Sequence, residues 1–433
     1  MAAVNGRELV LDMLLLVEKE EEYSHRLIQD VLSKYDYLET VEKSFIKRLF
    51  EGTLERRIEL DYYIDRVSST PVRKMKPVIR NLLRLSVYQI YYMDSIRDAA
   101  AVNEAVKLAA KRKFVNLKGF VNGVLRKAAS TKGSIALPDK EKEYPGYLSV
   151  KYSMPEWIVE HFLSQFSKEK TESLLEGMLK VRPLTIRFAL DMGEEEKEKW
   201  LCEVRKRGVN PVMHTYVKEA YYLENCDNVA LLPGFDEGRF TIMDASSMEA
   251  VKNAHIKPGD FVVDICAAPG GKSMLAAEYA GKEGLVSSRD VSDKKVSLIE
   301  ENAERMGLTN LKAKVWDATV FDESVAGKAD IVICDVPCSG LGVMGRKRDI
   351  KYRQKPEALK SLPILQKKMV ENAVLYLKEG GYLLYSTCTI NRAENEEVVE
   401  YIRKNLNLTV ECMTALYPDE HDTDGFFFAR CKK

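Results

Sequence analysis

The stretch at residues 261–273, FVVDICAAPGGKS, constrains the fold of this chain more than any other. It opens with a short continuous run of β-forming apolar residues, which is typical of a strand buried on both faces of a parallel sheet. Gly270 and Gly271 follow, and a helix is expected from Lys272. Because glycine has no Cβ, the loop can approach a bulky polar ligand, and the free N–H groups at the helix start can bind it. The segment predicts either a nucleoside-cofactor site or a tight structural turn.

An acidic residue at the end of the next apolar run favours the cofactor site. Asp290 follows Gly271 by 19 residues, near the spacing of about 20 residues at which nucleotide-binding folds place a carboxylate for the ribose hydroxyls. The loop lacks the G-x-G-x-x-G pattern of dinucleotide enzymes, because Ala267, Ala268 and Pro269 occupy its first part. A nicotinamide-dependent oxidoreductase is therefore disfavoured.

Strands and helices alternate from residue 261 onward, as in an α/β fold with a doubly wound parallel sheet. The predicted strands are 261–266, 285–290, 311–316, 329–335 and 381–387. Their carboxyl ends carry Cys266, Asp290, Asp317, Asp335 and Cys388. Because such sheets bind their ligands outside the carboxyl ends of the strands, we expect these side chains to line one crevice.

Two cysteines lie just beyond strand ends, Cys338 in the sequence DVPCSG and Cys388 in the sequence STCT. Cysteine is often a small buried apolar residue, so packing is one interpretation of both. Their Pro/Gly and Ser/Thr surroundings favour the other, in which two thiols and the Asp335 carboxylate share the crevice. None of the eight cysteines forms a C-x-x-C pair. We therefore expect no zinc or other metal, no disulfide framework, and a cytoplasmic protein.

The rest of the chain predicts a domain order. Residues 1–131 predict an all-helical domain, because apolar residues recur at helical spacing and glycine is sparse. Residues 132–147, with their glycines and prolines, predict a linker. Residues 148–240 predict a small α+β subdomain in which Ser153 caps a helix, and residues 241–433 the α/β domain.

Charge adds information only locally, since Lys+Arg and Asp+Glu are both 66 and the net charge is zero. Residues 104–132 and residues 345–368 each carry a net charge of +7. Two such segments favour a polyanionic partner, although a solvated helix face explains a basic run equally well. No apolar run is long enough for a membrane span, so we expect no membrane partner.

Four motifs together resemble those of the RNA cytosine-C5 methyltransferases. They are CAAPGGK at 266–272, DVPCSGLG at 335–342, YSTC at 385–388 and ENE at 394–396. The resemblance covers residues 148–433, where DGFFFA at 424–429 is similar to the terminal strand of that family. It implies a Rossmann-like methyltransferase domain.

The front of the chain, roughly residues 5–130, resembles the RNA-binding fold of the antitermination factor NusB. This resemblance rests on AVNEA at 101–105 and FVNGVLRK at 120–127. Together the two halves are similar to the small-subunit ribosomal RNA methyltransferase B branch (Sun/Fmu type) of the cytosine-C5 family.

The resemblance implies S-adenosylmethionine as the cofactor and assigns residues to it. The implied cofactor-binding residues are Cys266, Ala267, Ala268, Pro269, Gly270, Gly271, Lys272, Asp290, Asp317 and Asp335. Among these, Asp290 is expected to hold the ribose hydroxyls and Asp317 to face the adenine amino group.

The implied reaction is methyl transfer to C5 of a cytidine in 16S ribosomal RNA through a covalent cysteine adduct at C6. Cytosine C5 is a poor nucleophile until a thiolate adds at C6. The resemblance makes Cys388 the nucleophile, Cys338 the thiol that helps to remove the C5 proton, and Asp335 the partner of the cytosine N3 and amino edge. The residues alone leave open which thiol has which role.

The expected substrate is an unpaired cytidine, because a duplex hides C6 from attack. Residues 346–353 are expected to hold RNA phosphates beside it, and the protein is expected to be a monomer. Two alternatives remain: a transfer RNA cytosine-C5 methyltransferase, and an RNA-binding antitermination module without activity.

Overall fold

The computed structural model describes residues 4–19, 22–226 and 228–433. The chain divides into two units. Unit 1 is Met1–Leu179 together with Met344–Gln354, and unit 2 is Lys180–Val343 together with Lys355–Lys433. We call Met344–Gln354 the strap. The chain therefore leaves unit 2 after Val343, completes unit 1 with the strap, and returns.

Unit 1 is helical, as predicted for residues 1–131. Its helices are α1 (Gly6–Glu18), α2 (Ser24–Lys34), α3 (Thr40–Glu55), α4 (Arg57–Val67), α5 (Pro77–Tyr92), α6 (Asp98–Lys111), α7 (Lys118–Ser130), α8 (Tyr144–Lys151), α9 (Glu156–Gln165) and α10 (Lys168–Leu179). Helix α5 is buried along nearly its whole length and packs against α1, α3, α4, α6 and α7. Its proline at the first helical position has no N–H to leave unsatisfied, which suits a helix start.

Ser153 is not the cap of the helix that follows it, contrary to the prediction. Pro155 precedes α9 directly, and Ser153 lies buried with a positive φ of 49°. Its hydroxyl oxygen instead accepts a hydrogen bond from the Ile58 N–H, at 3.0 Å, in the first turn of α4. Because the first N–H groups of a helix have no partner within the helix, Ser153 satisfies one of them from 95 residues away.

The contacts of the strap contradict the expectation that residues 346–353 hold RNA phosphates. Arg348 forms ion pairs with two glutamates of α3, and Lys351 is only 2% exposed. Arg353 donates to a main-chain carbonyl just before α2. These three cations are used inside unit 1 and are not a phosphate surface, whereas Lys347 is exposed.

The other basic run, at residues 104–132, is partly neutralised. Lys111, the last residue of α6, and Arg112, which follows it, form ion pairs with carboxylates of α1. Arg126 and Lys127 on α7 are exposed, as is Lys118 at its start. The exposed cations of this run therefore include three on α7.

Unit 2 contains two sheets. A small antiparallel sheet has the order β2-β3-β1-β4 and consists of β1 (Leu184–Phe188), β2 (Asn210–Met213), β3 (Ala220–Glu224) and β4 (Phe240–Ile242). The subdomain predicted at residues 148–240 is thus divided, because its helices α8–α10 belong to unit 1 and these strands to unit 2.

The larger sheet has the order β10-β11-β9-β8-β5-β6-β7. Its strands are β5 (Phe261–Asp264), β6 (Leu285–Asp290), β7 (Leu311–Val315), β8 (Ala329–Asp335), β9 (Leu377–Thr387), β10 (Thr409–Leu416) and β11 (Phe426–Lys432). Strands β5 to β9 pair in parallel, and β10 and β11 add an antiparallel edge. The predicted α/β class and Rossmann-like sheet are confirmed.

Helices cover both faces of this sheet, which is why its first strand reads as a continuous apolar run. The helices of unit 2 are α11 (Glu194–Lys206), α12 (Ala245–Lys252), α13 (Gly271–Ala280), α14 (Asp293–Arg305), α16 (Ala358–Tyr376) and α17 (Glu396–Asn405), while the short α15 (Ile350–Arg353) lies in the strap. Val262 packs in the cluster that includes α13, and Val263 packs in the cluster that includes α16. Among the described residues, no helix is both long and apolar enough to cross a membrane.

Replacing Ser153 tests the cap on α4. Ser153→Ala removes the acceptor of the Ile58 N–H, so we expect the first turn of α4 to open more easily by about 1 kcal/mol. Native-state hydrogen exchange at the Ile58 amide should then be about five-fold faster. The control Ser130→Ala, at the exposed end of α7, should leave that rate unchanged, and equal rates in the two variants would contradict the cap.

Candidate active site

Parallel pairing of β8 with β9 brings two thiols together. Asp335 at the end of β8 stands level with Ser386 in β9. Cys338 and Cys388 follow these two positions, on loops that leave the sheet at the same edge. Their Sγ atoms lie 3.1 Å apart, within hydrogen-bond distance for sulfur, and both residues are half-buried.

The surroundings of Cys338 favour its neutral thiol form. The hydrogen bond to Cys388, then burial, and then the negative charges of Cys388 and Glu394 hold the pKa of Cys338 well above its ordinary value. Either sulfur can be the donor of the hydrogen bond between them, so the geometry leaves both thiols as candidate nucleophiles.

Asp335 lies at the same edge, oriented by two partners. Its Oδ2 accepts from Lys272 Nζ at 2.7 Å, and its Oδ1 accepts from Ser386 Oγ at 2.7 Å. Burial lowers the pKa of Lys272, but the charge and hydrogen bond of Asp335, with a further contribution from Asp264, outweigh burial, so that this pKa is raised. Lys272 is thus a fixed ammonium beside the carboxylate, which remains one-third exposed at the crevice.

The glycine loop joins β5 to α13 and is fixed against the next strand. The Ala267 N–H donates to the Arg289 carbonyl at 2.8 Å, and the Ala268 N–H donates to Asp290 Oδ2 at 3.1 Å. Gly270 has a φ of 106°, a backbone conformation that favours glycine, and a Cβ there would lie 2.6 Å from Met274 Cε. Pro269, which lies between Ala268 and Gly270, is exposed. The loop and the Asp290 carboxylate therefore form one rigid edge.

Two other predicted site residues, Asp317 and Cys266, differ in their exposure and in the direction of their pKa shifts. Asp317, just after β7, is exposed, and its Oδ1 accepts from the N–H and hydroxyl of Thr319, both at 2.8 Å; these bonds lower the pKa of Asp317. Cys266 is half-buried, and burial, with the charges of Asp264, Asp290 and Asp335, raises its pKa far above the ordinary value. Cys266 is therefore a neutral thiol.

Asp264 is a site residue that sequence reasoning missed. It is the last residue of β5, fully buried, and its Oδ2 accepts from Ser273 Oγ at 2.7 Å. Burial is the main cause that raises the pKa of Asp264 to about 7. An acidic residue at the end of an apolar run was visible in the sequence, but only as the boundary of the strand.

A buried polar bracket, consisting of Glu394, Gln366, Ser339 and Asn391, fixes the two cysteine loops. Glu394 Oε2 accepts from the Ser339 N–H at 2.8 Å and from Gln366 Nε2 at 3.0 Å, and its Oε1 accepts from Asn391 Nδ2 at 3.0 Å. Gln366 also donates to the carbonyl of Pro337 at 2.9 Å. Glu394 was noticed as part of a motif, whereas Gln366 carried no signal beyond being a polar residue in an amphipathic helix.

Within the described ranges, no three His, Cys, Asp or Glu side chains are grouped so that they could hold a metal ion. The crevice instead offers oxygen acceptors, an ammonium and thiols beside a glycine loop. Comparison with known proteins identifies the family to which this arrangement belongs.

The chain is 32% identical to "Probable ribosomal RNA small subunit methyltransferase B" of Bacillus subtilis (strain 168), with 100% of each chain covered. It belongs to the ribosomal RNA small subunit methyltransferase B family. Residues 253–432 match the family described as 16S rRNA methyltransferase RsmB/F, and residues 4–130 match the NusB family. This member of the methyltransferase B family is thus an S-adenosylmethionine-dependent methyltransferase of ribosomal RNA.

Solved structures agree with the fold of this methyltransferase. The crystal structure of PH0851 is similar with a TM-score of 0.82 at 23% identity, over 100% of this chain and 99% of that one. A methyltransferase homolog protein from Pyrococcus horikoshii is similar with a TM-score of 0.58 at 25% identity, over 66% of this chain and 97% of that one.

The pH dependence of stability tests the buried carboxyl. Because the pKa of Asp264 rises from 3.8 to about 7 on folding, the folded chain holds a proton that the unfolded chain has lost between these values. Its contribution to stability is therefore present at low pH and is lost as the pH rises through about 7.

Asp264→Asn removes this titration. We expect the melting temperature of the wild type, measured by calorimetry, to fall relative to that of the variant as the pH rises from about 4 to about 7, with no further change above that. The exposed Glu283→Gln variant should follow the wild type at every pH. A constant difference between the wild type and Asp264→Asn would show that Asp264 does not titrate in this range.

Proposed function

We propose that this protein transfers a methyl group to C5 of an unpaired cytidine in 16S ribosomal RNA through a covalent bond between Cys388 and C6. The observation that carries the proposal is the pair of thiols 3.1 Å apart, next to a carboxylate held by a lysine and a serine. A pyrimidine carbon that must be made nucleophilic needs a thiolate to attack and a second group to remove a proton. The methyltransferase B relatives support the small-subunit RNA as substrate.

Cys388 begins the cycle. The pKa of Cys338, raised by its hydrogen bond to Cys388 and by burial, supports Cys388 as the attacking sulfur. Its attack forms the S–C6 bond, and the electron pair of the C5–C6 double bond makes C5 nucleophilic. Asp335 faces the same crevice and would bind the N3 and amino edge of the base, so that the ring stays oriented while its electrons move.

S-adenosylmethionine supplies an electrophilic methyl group when bound. The residues present fit its polar groups: Asp290 offers carboxylate oxygen to ribose hydroxyls, Asp317 is an exposed acceptor for the adenine amino group, and the 266–272 loop leads into the N–H groups that start α13. Acceptors at successive strand ends beside a glycine loop are the usual arrangement for a nucleoside.

Cys338 ends the cycle, and its pKa explains the order of events. While Cys388 is ionised, its charge and hydrogen bond keep the proton on Cys338. Bonding of the Cys388 sulfur to carbon removes that charge, which is one of the causes of the raised pKa of Cys338, and so makes loss of the Cys338 proton to solvent easier. The Cys338 thiolate then removes the C5 proton, the C–H electron pair restores the double bond, and Cys388 leaves as a thiolate.

The ribose contact is testable without RNA. Asp290→Asn keeps the shape of the side chain but removes its charge, so we expect S-adenosylmethionine to bind about ten-fold more weakly. The thermal shift that the cofactor gives should shrink accordingly, and NADH should give no shift in either protein. Asp293→Asn, an exposed neighbour on α14, should bind as the wild type does. Equal cofactor affinity in the Asp290 and Asp293 variants would count against the ribose assignment.

The two thiols make the sharpest test of the mechanism. Cys388→Ala should form neither 5-methylcytidine nor a protein–RNA adduct, because no sulfur attacks C6. Cys338→Ala should also fail to turn over, but by retaining the adduct, since the C5 proton stays in place. A denaturing gel with 16S RNA and cofactor should therefore show a slow band for the second variant only.

Cys202→Ala, an exposed cysteine on α11, is the control and should release 5-methylcytidine at the wild-type rate. A slow band in Cys388→Ala would reverse the two roles. Full methylation by both active-site variants would refute the thiol mechanism.

A further inference from the structure

We propose that Asp349, Lys351 and Tyr352 of the strap are positioning residues for the loop that carries Cys338. Unit 1 would then take part in the chemical step, in addition to any RNA that it binds. The proposal rests on the proposed function in one respect, namely that Cys338 acts in the reaction. It is argued below from the contacts at the two ends of a short piece of chain.

The segment from Gly342 to Tyr352 is held at its strap end by a buried lysine. Lys351 Nζ donates to the carbonyl of Glu55 at 2.8 Å and to the carbonyl of Ser153 at 2.6 Å. Burial, with the charges of nearby arginines, lowers the pKa of Lys351 to about 7 against the attraction of Glu55. Burying an ammonium is unfavourable unless it is hydrogen-bonded, so these two carbonyls define one position for the side chain and for the strap.

The strap also completes helix ends of unit 1. Tyr352 OH donates to the carbonyl of Leu54 at 2.9 Å, so Tyr352 and Lys351 together satisfy the last two carbonyls of α3. Asp349 accepts from both the N–H and the hydroxyl of Ser24, the first residue of α2. Because terminal carbonyls and N–H groups have no partner within their own helix, detaching the strap would leave them unsatisfied.

Ring and backbone contacts restrict the strap further. The guanidinium carbon of Arg57 lies 3.7 Å from the centre of the Tyr352 ring. At the beginning of the strap, a Cβ on Gly345 would lie 2.7 Å from the carbonyl oxygen of Met178. The strap is therefore a fixed part of unit 1 from its second residue to its ninth.

The other end of the piece is fixed in unit 2, close to both thiols. The Gly342 N–H donates to the carbonyl of Cys388 at 3.0 Å, and the Gly425 N–H donates to the carbonyl of Gly342 at 2.9 Å. A Cβ on Gly342 would lie 1.8 Å from the Gly425 oxygen, so only glycine allows this close approach of the two backbone segments. One residue, Val343, separates Gly342 from the strap.

These contacts connect the strap to the reaction. Cys338 is six residues before the strap, and its loop is held by the Gly342 N–H to the main chain of Cys388 itself. A strap that loses its anchor lets the loop fray from that end, and the geometry of the 3.1 Å thiol pair changes with it. Misplacement of reacting groups by about 1 Å can cost about 100-fold in rate.

The test uses the full-length protein and two strap variants. Lys351→Met keeps the length of the side chain and removes both hydrogen bonds; Tyr352→Phe removes only the hydroxyl, and serves where the first variant folds poorly. The control is Leu125→Ala in α7, which destabilises unit 1 through its core without touching the strap. All proteins are assayed below their melting temperatures.

Two measurements separate positioning from general stability. The first is turnover, where we expect kcat to fall about ten-fold or more in Lys351→Met and less in Tyr352→Phe, with cofactor KM and RNA affinity within about two-fold of wild type. The second is the rate of alkylation of Cys338 and Cys388 against pH, read by mass spectrometry, whose midpoint should shift in the strap variants and not in Leu125→Ala.

Wild-type kcat and an unshifted alkylation profile in the strap variants would overturn the proposal. So would losses in the strap variants and Leu125→Ala that simply follow the fraction of unit 1 that is unfolded. The alkylation profile needs no turnover, so a shifted profile would still support the positioning role if Cys338→Ala proved fully active and the proposed function failed.

Discussion

The parallel register of β8 and β9 is the constraint on which the site depends. With Asp335 level with Ser386, the two chains leave the sheet at the same height, and residues two or three positions later meet above its edge. In this register the two sulfurs lie 3.1 Å apart. The buried bracket then fixes both loops, because the Glu394 oxygens accept hydrogen bonds from three N–H groups.

The parts of the fold that could be predicted are those with a local cause. A strand buried on both faces needs a continuous apolar run, and a tight loop before a helix needs glycine, so β5 and the start of α13 were readable from residues 261–273. Strand ends then indicated which polar side chains share an edge. Asp264 escaped this reasoning, because a fully buried carboxyl looks in sequence like any polar residue that ends a strand.

What could not be predicted depends on contacts between distant residues. Ser153 resembles a local helix cap, but its oxygen satisfies α4 from 95 positions away. In the sequence, Lys351 looks like one more exposed cation in a basic run. Its burial could not be predicted, because the two carbonyls that accept hydrogen bonds from its amino group belong to distant residues. Charge runs therefore overstate the exposed positive charge, because three cations of the strap are used inside unit 1 whereas three on α7 are exposed.

The division of unit 1 into two chain segments has a consequence for biosynthesis. A chain is made from its N-terminus, so α2 and α3 emerge from the ribosome long before Met344–Gln354 exists. Until then the hydroxyl and N–H of Ser24 and the last carbonyls of α3 depend on water as their partner. Unit 1 can therefore form its last contacts only after residues 180–343 of unit 2, including the loop that carries Cys338, have been translated.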